Sequence, residues 1–107
     1  MPDRCVDYNT DMTITDAPLT FAQFQKFIRG RYYETDSARG TPATFMWLIE
    51  EVGELATSLH GEDRENLAEE FADVIAWLTT LANINDVDLE SALRTKYLSN
   101  GAPEGVK

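Results

Sequence analysis

Two acidic clusters carry the chemistry that this sequence suggests most strongly. The first reads Glu50-Glu51-x-x-Glu54 and the second reads Glu70-x-x-Asp73. Helix positions three and four apart share a face, so Glu51 is expected to project with Glu54, and Glu70 with Asp73. Each cluster therefore predicts a pair of carboxylates on one side of a helix.

A turn near Gly61 would bring the two clusters together. Counted from residue 62, Glu54 and Glu70 are each eight positions away, and Glu51 and Asp73 are each eleven positions away. Antiparallel helices joined at this turn would hold four carboxylates at one level. Burial of an uncompensated carboxylate is unfavourable by several kcal/mol, so this arrangement calls for cations.

Oxygen ligands without His or Cys favour hard cations, so the predicted ion is Mg²⁺, with Mn²⁺ as a possible substitute. The predicted metal ligands are Glu51, Glu54, Glu70 and Asp73. Two metal ions held in this way can activate a water and stabilise the leaving oxygens of a phosphoryl group. Glu50 is the catalytic candidate, either completing a second metal site or orienting the attacking water as a general base.

Two rival interpretations compete with this site. Acidic residues on helices commonly form a solvated face, although the mirror placement of the two clusters weakens that interpretation. A diiron helical bundle would require Glu-x-x-His pairs, and His60, the single histidine, is out of register.

Five further residues are candidates for substrate binding. Trp47 and Trp77 are each fifteen positions from residue 62, next to the carboxylate level, and could stack on a nucleobase or be core aromatics. Lys96 and Asn100, four positions apart, could hold a phosphate or a sugar. Arg39 could do the same, and surface solvation is an equal alternative for all three polar residues.

Composition narrows the class of protein. A chain of 107 residues with a net charge of -10 predicts one acidic domain, and it argues against duplex DNA or an anionic membrane as a partner. The single cysteine excludes an internal disulfide. With no apparent signal peptide or membrane-spanning segment, these features predict a cytoplasmic location.

The apolar pattern predicts an all-α fold. We expect a flexible arm over residues 1–17, a helical domain over 18–100 and a flexible tail over 101–107. Within the domain, the first helix is capped by Thr20 and ends near Tyr33, before a loop. The second begins with Thr41 as the capping hydroxyl and runs to about His60. The third runs from about residue 63 to 85, and Asp88 caps a short fourth.

The motifs Glu50-Glu51-Val52-Gly53-Glu54-Leu55 and Glu69-Glu70-Phe71-Ala72-Asp73-Val74 resemble those of the MazG group of all-α nucleoside triphosphate pyrophosphohydrolases. The resemblance extends over about residues 21–100. It implies a four-helix bundle-like domain, with a central antiparallel helical hairpin, assembled as a homodimer or homotetramer. It also implies Mg²⁺-dependent hydrolysis of a nucleoside triphosphate to the monophosphate and pyrophosphate, and a role in sanitising the nucleotide pool.

By this resemblance, the metal ligands are again Glu51, Glu54, Glu70 and Asp73, with Glu50 beside them. Lys96 and Asn100 match a lysine and an asparagine that the family often has after its last helix. The family often carries a further basic residue downstream, where this sequence has residues 101–104, Gly-Ala-Pro-Glu. Another subunit or Arg39 is then the expected source of positive charge.

Three alternatives stay open from the sequence. One is a non-catalytic module that binds metal or nucleotide, and another is a purely structural helical oligomer. The third is a hydrolase similar to the all-α dUTPases or dCTPases, with a narrow pyrimidine preference and the possibility of cleaving diphosphates. The sequence identifies neither the base nor the sugar of the substrate.

Overall fold

The computed structural model describes residues 18–99, and this part of the chain contains helices and no strand. Helix α1 spans Phe21–Arg39, α2 Thr41–Leu59, α3 Arg64–Ile84 and α4 Leu89–Leu93, with a π-helical turn over Arg94–Leu98. The predicted all-α fold is therefore confirmed. The predicted arm, the predicted tail and Asn100 lie outside the described residues. In the described range, no helix combines the length and apolarity needed to cross a bilayer.

Helix α1 begins as predicted but ends later. The Thr20 hydroxyl accepts a hydrogen bond from the Gln23 backbone N–H, and the Gln23 side chain accepts one from the Thr20 backbone N–H, which completes a capping box. The predicted end near Tyr33 was wrong, because the helix continues to Arg39. Asp36, buried in the last turn, pairs with Arg39 at 3.1 Å, and this contact supports a segment whose polar residues suggested a loop.

Gly40 separates α1 from α2. Its φ of 85° lies in the left-handed region, which glycine adopts without the steric penalty of a Cβ atom, and it ends α1 there. The prediction that Thr41 caps α2 was wrong. Gly40 occupies the cap position without a side-chain hydrogen bond, and Thr41 is already helical. Pro42 lies in the first turn of α2, where its missing N–H has no helical partner to lose.

Four residues, 60–63, connect α2 to α3, which contact each other more extensively than any other pair of helices. The Asp63 carboxylate caps α3 by accepting a hydrogen bond from the Asn66 backbone N–H at 3.0 Å. Asn66 Nδ2 also donates to Ser58 Oγ at 2.9 Å, across the turn. At the opposite end of the pair, Asn85 Nδ2 donates to Thr41 Oγ1 at 3.1 Å. The two helices therefore run side by side in opposite directions.

Amide side chains attach α1 to the C-terminal half of α3 and to the segment that follows it. Gln25 Nε2 donates to Asn83 Oδ1 at 3.0 Å and to the Val87 carbonyl at 2.7 Å. Gln25 Oε1 accepts from the Leu89 backbone N–H at 2.9 Å. Asp88 caps α4 as predicted, by accepting from the Ser91 backbone N–H. These bonds fix α1 at one end of the α2–α3 pair.

The interior of the described chain contains few buried apolar side chains, namely Ile28, Leu48 and Ala82. By contrast, one stripe along α2 and one along α3 are apolar and 42–58% exposed. Both stripes lie about 100° round their helix from the surface that faces the other helix, and because the helices are antiparallel they fall on the same side of the pair. We call this surface the apolar face: Phe45, Ile49, Val52, Leu59, Phe71, Ile75 and Leu78.

Candidate metal and nucleotide site

Three of the predicted ligands meet between α2 and α3. Glu51 from α2 and Glu70 and Asp73 from α3 each offer a carboxylate oxygen, and these oxygens lie within 4.8 Å of one another. We call this group the carboxylate cluster. Its position follows from the sequence, because Glu51 lies on the side of α2 that packs against α3, and the turn at residues 60–63 sets the register that the spacing predicted.

The carboxylate cluster contains buried oxygen atoms that receive no hydrogen bond from the described residues. Oε1 of Glu51 and Oε1 of Glu70 are buried, and neither has a hydrogen-bond partner within residues 18–99. In this part of the chain, none of the three carboxylates forms an ion pair. A buried carboxylate oxygen without a donor is strongly unfavourable, so the arrangement is suited to a bound cation.

Burial and mutual repulsion change the proton affinity of the cluster. Burial raises the pKa of the Glu51 carboxyl, and the negative charges of Glu54, Asp73, Glu70 and Glu50 raise it further. The pKa of Glu70 is also raised, first by burial and then by the charges of Glu54, Asp73 and Glu69. Both shifts have the direction expected for carboxylates held together before a metal ion neutralises them.

The other acidic candidates surround the cluster. Glu54 is exposed and is not one of the three residues whose oxygens converge, although its charge is the largest repulsive influence on both Glu51 and Glu70. Glu50 is exposed on α2 and acts on Glu51 but not on Glu70. Glu69 is exposed on α3. The structure therefore brings three of the four predicted ligands together and places the fourth beside them.

The chemistry of the donor set fits a hard divalent cation. All three converging ligands are carboxylates, and within residues 18–99 no cysteine or histidine joins them. Oxygen ligands suit Mg²⁺ and Mn²⁺, which retain waters that can be exchanged for substrate oxygens. Residues Glu51, Glu70 and Asp73 could therefore hold such an ion, and Glu54 could complete its coordination by a change of rotamer.

The two tryptophans stack on each other one helical turn from the cluster. The ring centroids of Trp47 and Trp77 are 5.8 Å apart, and the ring planes are inclined by 12°. Trp47 is 47% exposed, whereas Trp77 is half-buried. The pair therefore presents an open aromatic surface, mainly that of Trp47, beside the carboxylates.

Arg39 contacts the tryptophan pair. Its guanidinium carbon lies 5.0 Å from the centre of the Trp77 ring, and Nη1 donates to Thr44 Oγ1 at 3.2 Å. Nη2 lies 3.1 Å from Oδ1 of Asp36. The sequence interpretation missed Asp36 and Thr44, both of which are buried. Asp36 could have been found, because a carboxylate three positions before an arginine is a common helical ion pair.

Lys96 lies apart from these contacts. It is exposed in the turn after α4, and its ammonium group lies 5.9 Å from the ring of Tyr97. In the described structure it makes no hydrogen bond or ion pair with the carboxylate cluster. Its predicted partner in binding, Asn100, falls outside the described range.

A cleft of about 370 Å³ lies elsewhere, between α1 and the segment after α3. Gln25, Lys26, Arg29, Asp86 and Asp88 supply its polar lining. None of the predicted site residues belongs to it. The cleft is therefore separate from the candidate site.

Comparison with protein families agrees with this geometry. The family model described as MazG nucleotide pyrophosphohydrolase domain matches residues 40–97, more than half of the chain. The matched segment includes both acidic motifs and both tryptophans. The chain belongs to the MazG family.

Membership of the MazG family implies nucleotide pyrophosphohydrolase activity, a nucleotide substrate and a general dependence on divalent cations. The match ends before Asn100, and it begins at the glycine that separates α1 from α2. A comparison with curated proteins gave no match.

Proposed function

We propose that this MazG domain hydrolyses nucleoside triphosphates to nucleoside monophosphate and pyrophosphate with Mg²⁺. The observation that carries the proposal is the carboxylate cluster, in which two buried oxygens from different helices lack donors within the described residues. A site of this kind is unfavourable for a structural protein and suitable for metal binding.

The metal-binding residues in this proposal are Glu51, Glu54, Glu70 and Asp73. Mg²⁺, when bound, would stabilise negative charge on the phosphoryl oxygens. Glu50, beside the cluster and exposed, orients the attacking water and accepts its proton as the water adds to the α-phosphorus. The bond to the bridging oxygen of the pyrophosphate then breaks, and pyrophosphate leaves.

The proposed substrate-binding residues are the two stacked tryptophans, Lys96 and Asn100, and the last two rest on the sequence resemblance. Trp47, backed by Trp77, offers a stacking surface for the nucleobase, since stacking tolerates different bases. Lys96 and Asn100 are proposed to bind the triphosphate or the sugar. The acidic cluster needs positive charge from metal ions and these residues to accept an anionic nucleotide.

The protein is further proposed to be a homo-oligomer in the cytoplasm, formed through the apolar face. The apolar face exposes seven large apolar side chains in two adjacent stripes, more than a monomer normally leaves in contact with water. A second copy is the natural partner, because the same surface on both chains makes a self-complementary twofold contact. Glu54 and Asp73 lie about 60° round their helices on the other side of the pair, so this contact would leave the carboxylates accessible.

The proposal is tested by incubating the protein with a panel of standard and modified ribo- and deoxyribonucleoside triphosphates and diphosphates. We expect monophosphate and pyrophosphate in equal amounts, with Mg²⁺ and not with a chelator. In ¹⁸O-labelled water, the label should enter the monophosphate, because attack is at the α-phosphorus. Nucleotide binding without any product would instead support the non-catalytic module, and preference for one pyrimidine would support the dUTPase-like or dCTPase-like alternative.

A further inference from the structure

Arg39 is held from three helices. Nη2 pairs with the Asp36 carboxylate of α1 at 3.1 Å, and Nη1 donates to the Thr44 hydroxyl of α2 at 3.2 Å. The guanidinium lies over the Trp77 ring of α3. Both polar partners are buried, with Asp36 4% exposed and Thr44 0% exposed. An arginine with its terminal nitrogens engaged in this way is poorly placed to bind a phosphate.

The contacts of Arg39 continue to the edge of the candidate site. Trp77 stacks on Trp47, a residue that is 47% exposed and lies one helical turn from Glu51. A guanidinium over an indole is attracted by the negative face of the ring, and the attraction is strongest where water is excluded. A chain of contacts therefore runs from buried Asp36 through Arg39 and Trp77 to Trp47.

Stability alone does not explain the Asp36–Arg39 pair. Oδ2 of Asp36 is buried without a hydrogen-bond partner among the described residues. An ion pair that leaves one buried oxygen unsatisfied is generally no more stable than an apolar pair of similar size. The pair is better explained by the orientation that it imposes on Trp77.

We propose that Asp36 and Arg39 are positioning residues that fix Trp77, and through it Trp47, as the surface on which the nucleobase stacks. This inference rests on the proposed function for the identity of the ligand. In this proposal Arg39 supports binding of the base by orienting the two tryptophans, and it does not bind the triphosphate.

Two kinds of measurement test this inference. The chain has two tryptophans, so the exciton couplet that stacked indoles give in far-ultraviolet circular dichroism reports on this pair alone. Trp47→Phe and Trp77→Phe should each abolish the couplet and so verify its origin. Steady-state kinetics with a nucleoside triphosphate then separate KM from kcat.

Arg39→Gln is expected to reduce the couplet by about half or more and to raise KM roughly tenfold, with kcat changed by less than about threefold, since lost base stacking weakens ground-state binding. Arg39→Lys keeps the charge without the planar fork, so it should give intermediate values. Arg31→Gln is the matched control, because Arg31 lies 5.6 Å over Phe27 on the same helix and is exposed. It should change neither quantity.

Asp36→Asn separates the two roles of Arg39 most sharply. If Arg39 positions Trp77, this variant should reproduce Arg39→Gln, whereas a phosphate-binding Arg39 freed from its partner would lower KM and leave the couplet intact. That second result would overturn the proposal, as would an unchanged couplet in Arg39→Gln. If Arg39→Gln or Asp36→Asn melts below the assay temperature, the couplet and KM of the folded Arg39→Lys protein test the proposal instead. Wild-type values of both in Arg39→Lys would overturn it. The couplet does not depend on turnover, so a protein without hydrolase activity whose couplet responds as expected would refute the proposed function and retain the positioning role.

Discussion

A carboxylate oxygen of Glu51 on α2 lies within 4.8 Å of one of Glu70 on α3, and each residue has a buried Oε1 without a donor in the described chain. Two negative charges at this separation repel each other, and partial burial strengthens the repulsion. The contact is therefore a source of instability in the metal-free protein. Because the interaction is repulsive, protonation or a bound cation should stabilise the folded protein.

We predict that the metal-free protein becomes more stable as the pH is lowered from neutrality. The pKa values of Glu51 and Glu70 are raised in the folded state above the ordinary value of 4.5. Between the ordinary and the raised values the folded state binds more protons than the unfolded state, so the free energy of unfolding rises as the pH falls through this window. Chemical denaturation in the presence of a chelator measures the slope.

Amide variants test whether Glu51 and Glu70 cause the pH dependence of the free energy of unfolding. Glu51→Gln and Glu70→Gln remove a repelling charge, so each should stabilise the metal-free protein at neutral pH and flatten its pH dependence. Glu69→Gln, on the exposed side of α3, should have a much smaller effect. Equal slopes in the wild type and the Glu51→Gln/Glu70→Gln double variant would contradict the assignment.

Mg²⁺ is predicted to stabilise the protein. Binding to the folded state alone increases the free energy of unfolding by RT ln(1 + [Mg²⁺]/Kd), about 2.7 kcal/mol at a hundred times Kd. Because the ligands must be deprotonated, the shift in Tm should be larger at neutral than at acidic pH. Glu70→Gln should lose most of this shift. A Tm that does not respond to Mg²⁺ or Mn²⁺ would support the purely structural oligomer.

The approach of Glu51, Glu70 and Asp73 could be predicted from the sequence, because it depends on helical periodicity and on one turn. The sequence also predicted Glu54 among them, whereas its oxygens do not converge with the other three.

The continuation of α1 through Asp36 to Arg39 was not predictable in the same way. Local propensity suggested a loop there, whereas Arg39, which pairs with Asp36, lies over the Trp77 ring of the distant helix α3. Helical periodicity in the sequence places Phe45 and Val52 on one apolar stripe with Leu48, but only Leu48 is buried. Periodicity alone could not distinguish the core of one chain from a surface left for a partner.

The apolar face is predicted to hold copies of the chain together. Ile49→Asp or Ile75→Asp should convert the oligomer to monomer and lower its Tm, since a charge cannot be buried there without a partner. Met46→Asp is the control, because Met46 is 69% exposed on α2 and lies outside the apolar face. Analytical ultracentrifugation measures the mass. A wild-type protein that sediments as a monomer would refute this part of the proposal.

Two mid-helix glycines, Gly30 and Gly53, are predicted to tolerate a larger side chain. A Cβ atom added at Gly30 or at Gly53 would meet nothing within 4 Å in the described chain. Replacement of either by alanine should therefore stabilise the fold by about 0.5–1 kcal/mol through helix propensity. Urea denaturation measures both. A lower free energy of unfolding in either alanine variant would contradict the open surroundings of that glycine.

The most direct test of the central claim is pyrophosphate release by the wild type, Glu54→Gln, Asp73→Asn and the control Glu69→Gln, all shown to be folded by circular dichroism. We predict Mg²⁺-dependent release by the wild type and by Glu69→Gln. In the two ligand variants, release should fall by at least about a hundredfold, since loss of a direct ligand should exceed the 10–100-fold cost of losing a residue that only supports one. Full Mg²⁺-dependent activity in both ligand variants would contradict the assignment of the site.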